Sequence, residues 1–383
     1  MKKLLTLLLL IIVSPGISNG AGFNGVSSPD GNYVVAVGDN GNVFISTNGG
    51  NIWLKSQIGS INLNSIASYS NNIVYVAGGD GNIYRNTSAN YTYFNKYIAV
   101  PGTSLNGVAV IGTQTVFACG DNGIVVRGIG GGPGFTIQNN GIANVKLNAI
   151  HFQDDDNGVV VGDNGAIYIT NNGGASWTSQ TSGTTRNLTD VRYFSGEIIV
   201  TGEYGVILRK VGAGTFTSIN SRTVWDINGI SGTASSNVHL CGGGGFIRNN
   251  NGSADYLNFE SNPMMGDLVD IHFASTNTGF AVSSLNDAVI KTTDGGTSWN
   301  LTGGTTISYN WSQVLNPGSG GIGNGFAIIP TVNRDVVYLC QSNRVYRSGD
   351  RGVNWTQIAT VTGASSCHSF YVNPLDTNMM LGS

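Results

Sequence analysis

Residues 158–178 read GVVVGDNGAIYITNNGGASWT, and the order of segments in this stretch decides the fold. A β-branched apolar run is followed by a Gly-Asp-Asn-Gly turn, a second β-rich run, a Gly-containing turn and a tryptophan. Short β-prone runs separated by Asn, Asp and Gly are typical of consecutive antiparallel hairpins. The stretch therefore predicts neighbouring strands that are joined by tight turns.

The same arrangement recurs eight times, and the first seven copies are about 40 residues apart. The aromatic residues that close the copies are Trp53, Tyr93, Phe135, Trp177, Phe216, Tyr256, Trp299 and Trp355. A further strand precedes each turn, as at residues 147–152 in the fourth copy, so that one period holds four strands. A fixed period with four strands predicts an all-β fold, a β-propeller of four-stranded antiparallel blades.

The spacing of the copies predicts the domain organisation. Seven even copies occupy residues 21–304 and predict a seven-bladed propeller. Residues 305–325 interrupt the pattern with a linker rich in Gly, Asn and Ser. Residues 326–383 then hold further repeats, which we interpret as the start of a second array. The alternative is that these repeats close a single ring of eight or more blades.

The first 20 residues have the pattern of a secretory signal peptide. Lys2 and Lys3 precede an apolar run at residues 4–13, and small residues follow at 18–20. The apolar run is too short to span a bilayer comfortably. We therefore expect export, with the protein secreted or at the cell surface.

The composition narrows the functional classes. The formal net charge is −3 and only 10% of residues are charged, which disfavours a nucleic-acid partner. The chain has no nucleophile elbow, phosphate loop or dinucleotide motif, and its four histidines lack metal-ligand spacing. No cofactor or metal is predicted. Cys119 and Cys241 are predicted to be core residues, and a disulfide between Cys340 and Cys367 is left open.

Four copies carry the motif S/T-x-D/N-x-G-x-x-W, at residues 46–53, 170–177, 292–299 and 348–355. This motif resembles the Asp-box, or BNR-type, repeat. With the GDNG turns, the chain is similar to the propellers grouped with the photosystem II stability and assembly factor family. The resemblance implies that the acid or amide caps a hairpin and the tryptophan packs between blades. The residues concerned are Asn48, Trp53, Asn172, Trp177, Asp294, Trp299, Asp350 and Trp355.

Two groups of residues are candidates for binding. Asp39, Asp121, Asp163 and Glu203 occupy equivalent turns and predict an acidic arc for a cation or a basic partner surface. The alternative is that Asp and Asn simply suit turn conformations. Tyr309 and Trp311 lie in the linker, where exposed aromatic rings could stack on a sugar or anchor a partner.

The resemblance implies no single activity, because Asp-box propellers include glycosidases, sialidases, receptors and scaffolds. We predict a non-enzymatic binding module for a protein or a glycan. The enzyme alternative is a polysaccharide-cleaving glycoside hydrolase, which needs two facing carboxylates. Asp190, Asp226 and Asp270, which we place at matching positions of inner strands, are the candidates. A structural repeat protein of the cell surface is a third possibility.

Overall fold

The computed structural model describes most of the repeat region. Described are residues 22–86, 94–131, 134–250, 258–260, 266–284, 288–302, 326–328, 337–341, 344–348, 356–360, 370–372 and 380–382. The chain forms two compact units, residues 1–306 and residues 307–383.

The first unit holds seven antiparallel sheets, each of four consecutive strands. Blade one is β1 Phe23–Ser27, β2 Val34–Gly38, β3 Asn42–Ser46 and β4 Leu54–Gln57. Blade two is β5 Leu63–Ser70, β6 Ile73–Gly78, β7 Asn82–Asn86 and β8 Phe94–Ile98. Blade three is β9 Leu105–Ile111, β10 Thr115–Gly120, β11 Val125–Ile129 and β12 Phe135–Ile137. Blade four is β13 Leu147–Phe152, β14 Gly158–Gly162, β15 Ile167–Thr170 and β16 Thr178–Ser179.

The remaining three blades follow the same order. Blade five is β17 Leu188–Phe194, β18 Glu197–Gly202, β19 Ile207–Val211 and β20 Thr217–Ser218. Blade six is β21 Ile227–Ala234, β22 Asn237–Gly242, β23 Ile247–Asn249 and β24 Asn258–Glu260. Blade seven is β25 Leu268–Phe273, β26 Gly279–Ser283, β27 Val289–Thr292 and β28 Asn300–Thr302. The prediction of an all-β propeller of four-stranded antiparallel blades is confirmed.

Burial changes from strand to strand across a blade. The second strand is buried along its whole length in β2, β14 and β26, because neighbouring blades cover both of its faces. Its sequence is accordingly a nearly continuous run of Val, Ile and Ala rather than an alternation. The fourth strand is exposed in β16 and β20, at the outer edge.

The turn from the second to the third strand is one short 3-10 segment in five blades. These turns are Asp39–Gly41, Asp121–Gly123, Asp163–Gly165, Glu203–Gly205 and Gly243–Gly245. The middle residue has a positive φ, such as 55° at Asn40 and 59° at Asn122. Asparagine enters this left-handed region more readily than other non-glycine residues, and this explains the recurring Asn-Gly pair.

Side chains of the first strands join each blade to the next. Asn106 Nδ2 donates to the Leu147 carbonyl at 2.9 Å, and Asn148 Nδ2 donates to the Leu188 carbonyl at 2.9 Å. Asn24 and Asn228 make the same bond to Leu63 and Leu268. One amide at a repeated position therefore links successive blades around the ring.

The ring closes between blades seven and one. Phe23, Val26 and Val34 of blade one form one buried cluster with Phe280 and Val282 of blade seven. His272 Nε2 of blade seven also donates to the Ser28 carbonyl at 2.8 Å. The ring has seven blades, so the preferred prediction is confirmed and the alternative of eight or more is wrong.

The motif turns after the third strand have a common hydrogen-bond pattern. Thr170 Oγ1 accepts the Gly174 amide at 3.0 Å, and Asn172 Oδ1 accepts the Ser176 amide at 3.0 Å. The same pairs occur around Ser46 and Asn48 in blade one and around Thr292 and Asp294 in blade seven. The repeated hydroxyl and amide or acid thus satisfy main-chain donors of the hairpin.

The tryptophans of these turns contact the preceding blade. Trp177 is buried, donates from Nε1 to the Gln138 carbonyl at 2.7 Å and packs edge-on against Phe152. Trp299 is buried and donates from Nε1 to Glu260 Oε2 at 2.7 Å. Trp53 is half-buried against the cluster that closes the ring. The tryptophan side chains therefore lie between blades.

The described residues of the second unit form one four-stranded and one two-stranded antiparallel sheet. The strands are β29 Phe326–Ile328, β30 Val337–Gln341, β31 Arg344–Ser348, β32 Thr356–Thr360, β33 Phe370–Val372 and β34 Met380–Gly382. The domain bounds of the sequence analysis stay a prediction.

Cys119 and Cys241 are buried and free, as expected, whereas Cys367 lies outside the described residues. No helix in the described part of the chain has the length and apolar character needed to cross a bilayer.

Candidate functional site

The first strands of all seven blades surround an axial channel. The cavity within it has a volume of about 690 Å³. Its wall includes Asn24, Asn64, Asn106, Asn148, Thr189 and Asn228, one polar residue from each of six blades. The channel is therefore a polar space at the centre of the ring.

One level of this wall carries charged and titratable side chains. The residue four positions after the first residue of the strand is His151 in blade four, Arg192 in blade five and His272 in blade seven. In blades one and six the same position holds Ser27 and Ser231. The repeat thus places equivalent residues of different chemistry in one layer.

A second level carries two aspartates that bind the next blade. Asp190 Oδ2 accepts the Ile230 amide at 2.9 Å, and Asp190 Oδ1 accepts the Val191 amide at 2.7 Å. Asp270 Oδ2 accepts the Val26 amide at 2.9 Å, and its Oδ1 accepts the Ile271 amide at 2.8 Å. Each carboxylate therefore satisfies one main-chain donor at the β-bulge of its own strand and one in the next blade.

The channel shifts the protonation of these groups. Removal of Asp270 from bulk water, together with repulsion by the Asp190 carboxylate, raises the pKa of Asp270 to about 7. The same loss of hydration raises the pKa of Asp190, although the Arg192 guanidinium opposes the shift. At neutral pH the two carboxyl groups accordingly carry less than two full negative charges.

The histidines stay neutral for a related reason. Burial and the nearby Arg192 charge lower the pKa of His151 to about 3 and that of His272 to about 4. His151 Nδ1 accepts the Tyr193 amide at 3.2 Å, so its proton lies on Nε2. Arg192 donates from Nε to the Ile230 carbonyl at 2.9 Å and contributes the positive charge of this layer. Sequence reasoning missed Arg192, which alignment of the first strands would have revealed.

The prediction that Asp226 matches Asp190 and Asp270 on the inner strands is wrong. Asp226 precedes β21, and Gly229 is the residue of blade six that matches Asp190 and Asp270. Asp226 is exposed, and its Oδ1 accepts the Tyr204 amide at 2.8 Å. The error came from aligning an acid at the start of blade six with acids inside the neighbouring strands.

The residues of the predicted acidic arc lie at one end of the ring, in the turns. Asp121 Oδ1 accepts Nδ2 of Asn106 at 3.0 Å, and Asp163 Oδ1 accepts Nδ2 of Asn148 at 2.9 Å. Asp39 accepts Nδ2 of Asn24, and Glu203 accepts Nδ2 of Asn187. Each acid thus orients an amide near the inner strand, and each is half-buried.

The turns between the second and third strands of blades five and six depart from the Asp-Asn-Gly sequence. In blade five the left-handed position holds Tyr204, with φ of 55° and a side chain that is 60% exposed. The Arg186 guanidinium lies over the Tyr204 ring, 4.1 Å from its centroid. A tyrosine in a left-handed conformation is strained, and such strain is concentrated at functional positions.

In blade six Trp225 occupies the position that Arg186 occupies in blade five, two residues before the first strand. Its indole lies along the Gly243–Gly245 turn, and a Cβ at Gly243 would stand 3.2 Å from Cε3 of the ring. Trp225 is 59% exposed, and no other tryptophan among the described residues is exposed. Arg186, Tyr204, Trp225, Asp226 and Asp267, with the Gly243–Gly245 turn, are named the Tyr204–Trp225 surface.

Comparisons with known proteins show the fold alone. No protein-family model and no curated protein matches the chain. YCF48 from Cyanidioschyzon merolae is 15% identical with a TM-score of 0.58, over 73% of this chain and 97% of that one. A GH74 enzyme from Niastella koreensis is 16% identical with a TM-score of 0.61, over 96% of this chain and 70% of that one. The chain is thus a β-propeller similar in fold to both proteins.

Several predicted site residues lie outside the described residues, namely Tyr309, Trp311, Asp350 and Trp355. In the part of the chain that the structure describes, no group of three or more His, Cys, Asp or Glu side chains is placed to hold a metal ion. Sequence reasoning also missed Tyr204 and Trp225. The signal was present, because GEYG and GGGG break the Asp-Asn-Gly pattern in adjacent units.

Proposed function

We propose that this chain is a non-enzymatic binding scaffold that holds a protein or polysaccharide partner on the turn face of the propeller. The observation that carries the proposal is the exposed pair Tyr204 and Trp225 on that face. Hydrogen bonds fix their surroundings, since Asp226 accepts the Tyr204 amide and Asp267 Oδ1 accepts the Gly244 amide at 2.7 Å. Large rings held in place before binding lose little conformational entropy when a partner binds.

The resemblance to Asp-box propellers agrees with this proposal. We interpret the turns at Ser46, Thr170 and Thr292 as Asp boxes whose residues stabilise hairpins. That role leaves them no part in ligand binding, because their hydroxyl and carboxyl or amide oxygens already accept main-chain amides. A scaffold of this kind, with the signal peptide expected at residues 1–20, would act outside the cell.

A glycoside hydrolase is the second candidate, and Asp270 is the observation that favours it. A carboxyl group with a pKa of about 7 is suited to act as a general acid near neutral pH. Against this role, all four oxygens of Asp190 and Asp270 accept main-chain amides. Carboxylates that join blades and complete bulges are better explained as structural residues of the channel.

Release of reducing ends from a panel of neutral and acidic polysaccharides separates the two candidates. The scaffold proposal predicts no release by the full chain above a heat-inactivated blank. Asp190→Asn and Asp270→Asn should give the same zero result while remaining folded by circular dichroism. Hydrolysis by the unmodified chain that either substitution abolishes would establish the enzyme and refute the scaffold.

A further inference from the structure

The chemistry of the Tyr204–Trp225 surface identifies the class of ligand that it fits. We propose that this surface binds a neutral polysaccharide chain, with a sugar ring stacked on the free face of Trp225. The inference rests on the proposed scaffold function and specifies its partner. It depends on three properties of the surface, which are an aromatic platform, unpaired carboxylate oxygens beside it and charges of both signs.

Trp225 forms the platform, and the glycines beneath it leave room for the indole because they have no side chains. Blade six has Gly243 and Gly244 where three other blades have Asp and Asn, and Trp225 lies against this bare backbone. The glycines cover one side of the indole, and the 59% exposure of the residue leaves the other side open. A flat apolar ring with one free face matches the C–H face of a pyranose. The polar edge of the indole, with its N–H group, stays available for hydrogen bonds.

Carboxylate oxygens flank the platform. Asp226 and Asp267 each use Oδ1 for a main-chain amide, of Tyr204 and of Gly244 respectively. Neither Oδ2 atom has a hydrogen-bond partner among the described residues, and both aspartates are exposed. A carboxylate oxygen accepts hydrogen bonds from hydroxyl groups, and the bond to Oδ1 holds each carboxylate in position to do so.

The charges around the platform favour an uncharged ligand. Arg186 is an exposed cation of this surface, whereas Asp226 and Asp267 are exposed anions of it. A strongly basic or acidic partner would meet like charge from one of these sets. Sugar hydroxyls both donate and accept hydrogen bonds, so that they can satisfy guanidinium and carboxylate groups side by side.

Blade five repeats the arrangement with different residues. Arg186 covers Tyr204 there as Trp225 covers the glycine turn in blade six. Asp226 connects the two turns, because its Oδ1 accepts the Tyr204 amide and its main-chain carbonyl accepts the Gly243 amide at 3.0 Å. Two related pairs in adjacent blades extend the surface beyond one sugar ring, which suits a chain rather than a free monosaccharide.

Affinity electrophoresis of the full chain tests this proposal. Native gels would contain a neutral β-glucan, a neutral mannan, a neutral xylan or anionic polygalacturonate. At least one neutral polysaccharide should retard the protein, and high salt should not abolish the retardation because the contact is not between net charges. Trp225→Ala should weaken binding about tenfold or more, the effect of losing an aromatic anchor.

Tyr69→Ala is the matched control, because Tyr69 is 52% exposed and lies outside this surface. Its retardation should equal that of the unmodified chain. Tyr204→Asn is a second variant, since asparagine is the residue of the equivalent turns and keeps the backbone intact. Reduced retardation for both Tyr204→Asn and Trp225→Ala supports the assignment.

Two outcomes overturn it. The first is that no neutral polysaccharide retards the chain, or that Trp225→Ala is retarded as strongly as the unmodified chain. The second is that retardation disappears when the polysaccharide preparation is treated with protease, which would make the partner a protein. Either result leaves the scaffold function standing, because that function fails only if the reducing-end assay detects hydrolysis.

Discussion

Asp270 Oδ2 accepts a 2.9 Å hydrogen bond from the amide of Val26, a residue 244 positions earlier in the chain. This contact joins the first strands of blades seven and one, where the ring closes. Asp190 makes the same contact with Ile230 between blades five and six, at 2.9 Å. The closing contact is thus a copy of one used inside the ring.

The contact predicts unequal effects of two substitutions at Asp270. Asp270→Ala removes both acceptors and leaves the Val26 and Ile271 amides unsatisfied, which should cost about 2–3 kcal/mol of unfolding free energy. Asp270→Asn keeps one carbonyl oxygen and should cost about half as much. Urea denaturation followed by fluorescence measures both values. Asp156→Ala, at an exposed turn residue, should stay within about 0.5 kcal/mol of the unmodified protein. Equal losses for the Ala and Asn variants would contradict the assignment.

The channel predicts opposing pH effects on stability. Asp270 has a pKa near 3.8 when unfolded and about 7 when folded, so its contribution to stability falls as pH rises between those values. His151 and His272 have folded pKa values of about 3 and 4 against 6.5 unfolded, so their contribution rises over a similar range.

Single variants should expose each contribution. Asp270→Asn should make the unfolding free energy rise more steeply between pH 4 and 6.5 than in the unmodified protein, by at most about 1.4 kcal/mol per pH unit. His272→Gln should make the curve less steep. Denaturation midpoints at several pH values measure these slopes. Parallel curves for all three proteins would show that the channel does not shift these groups.

Replacing Tyr204 should raise the stability of the protein while it weakens binding. Tyr204→Asn relieves the left-handed strain but loses the contact with Arg186, so we expect a net gain of about 0.5 kcal/mol. The reverse substitution in blade four, Asn164→Tyr, should cost about 1 kcal/mol because Asn164 has φ of 57°. Thermal denaturation provides the comparison. A loss of more than 1 kcal/mol in Tyr204→Asn would mean that the tyrosine is kept for stability.

Replacing Glu260 of blade six should strongly lower the unfolding free energy. Its carboxylate accepts His239 Nδ1 at 2.7 Å, Asn249 Nδ2 at 2.6 Å and Trp299 Nε1 at 2.7 Å, and it is buried. Glu260→Ala should cost about 3–5 kcal/mol, since it leaves the buried His239 and Trp299 donors unsatisfied. Gln138→Ala is the matched control. Trp177 donates to the main-chain carbonyl of Gln138, which the substitution keeps, so the unfolding free energy should not change. Similar losses for both variants would show that packing rather than the carboxylate matters.

The success and failure of sequence reasoning follow from the range of the interactions. The strand order within a blade and the motif turns after the third strand depend on residues a few positions apart, as with Thr170 and Gly174. The channel layer depends on side chains from different blades, so Arg192 was missed and Asp226 was placed wrongly. Exposure was also beyond the sequence, because most aromatic residues of the repeat are buried whereas Tyr204 and Trp225 are not.

The sequence by itself determined that this protein is a propeller of four-stranded blades, because each hairpin is specified by its own turn residues and by the β-prone runs beside it. The tertiary structure alone decided that seven blades close the ring, since closure depends on the fit of Phe280 and Val282 against Phe23 and Val26. It also decided which side chains meet in the channel and which rings stay exposed. Those outcomes depend on contacts between residues far apart in the chain, which no local pattern records.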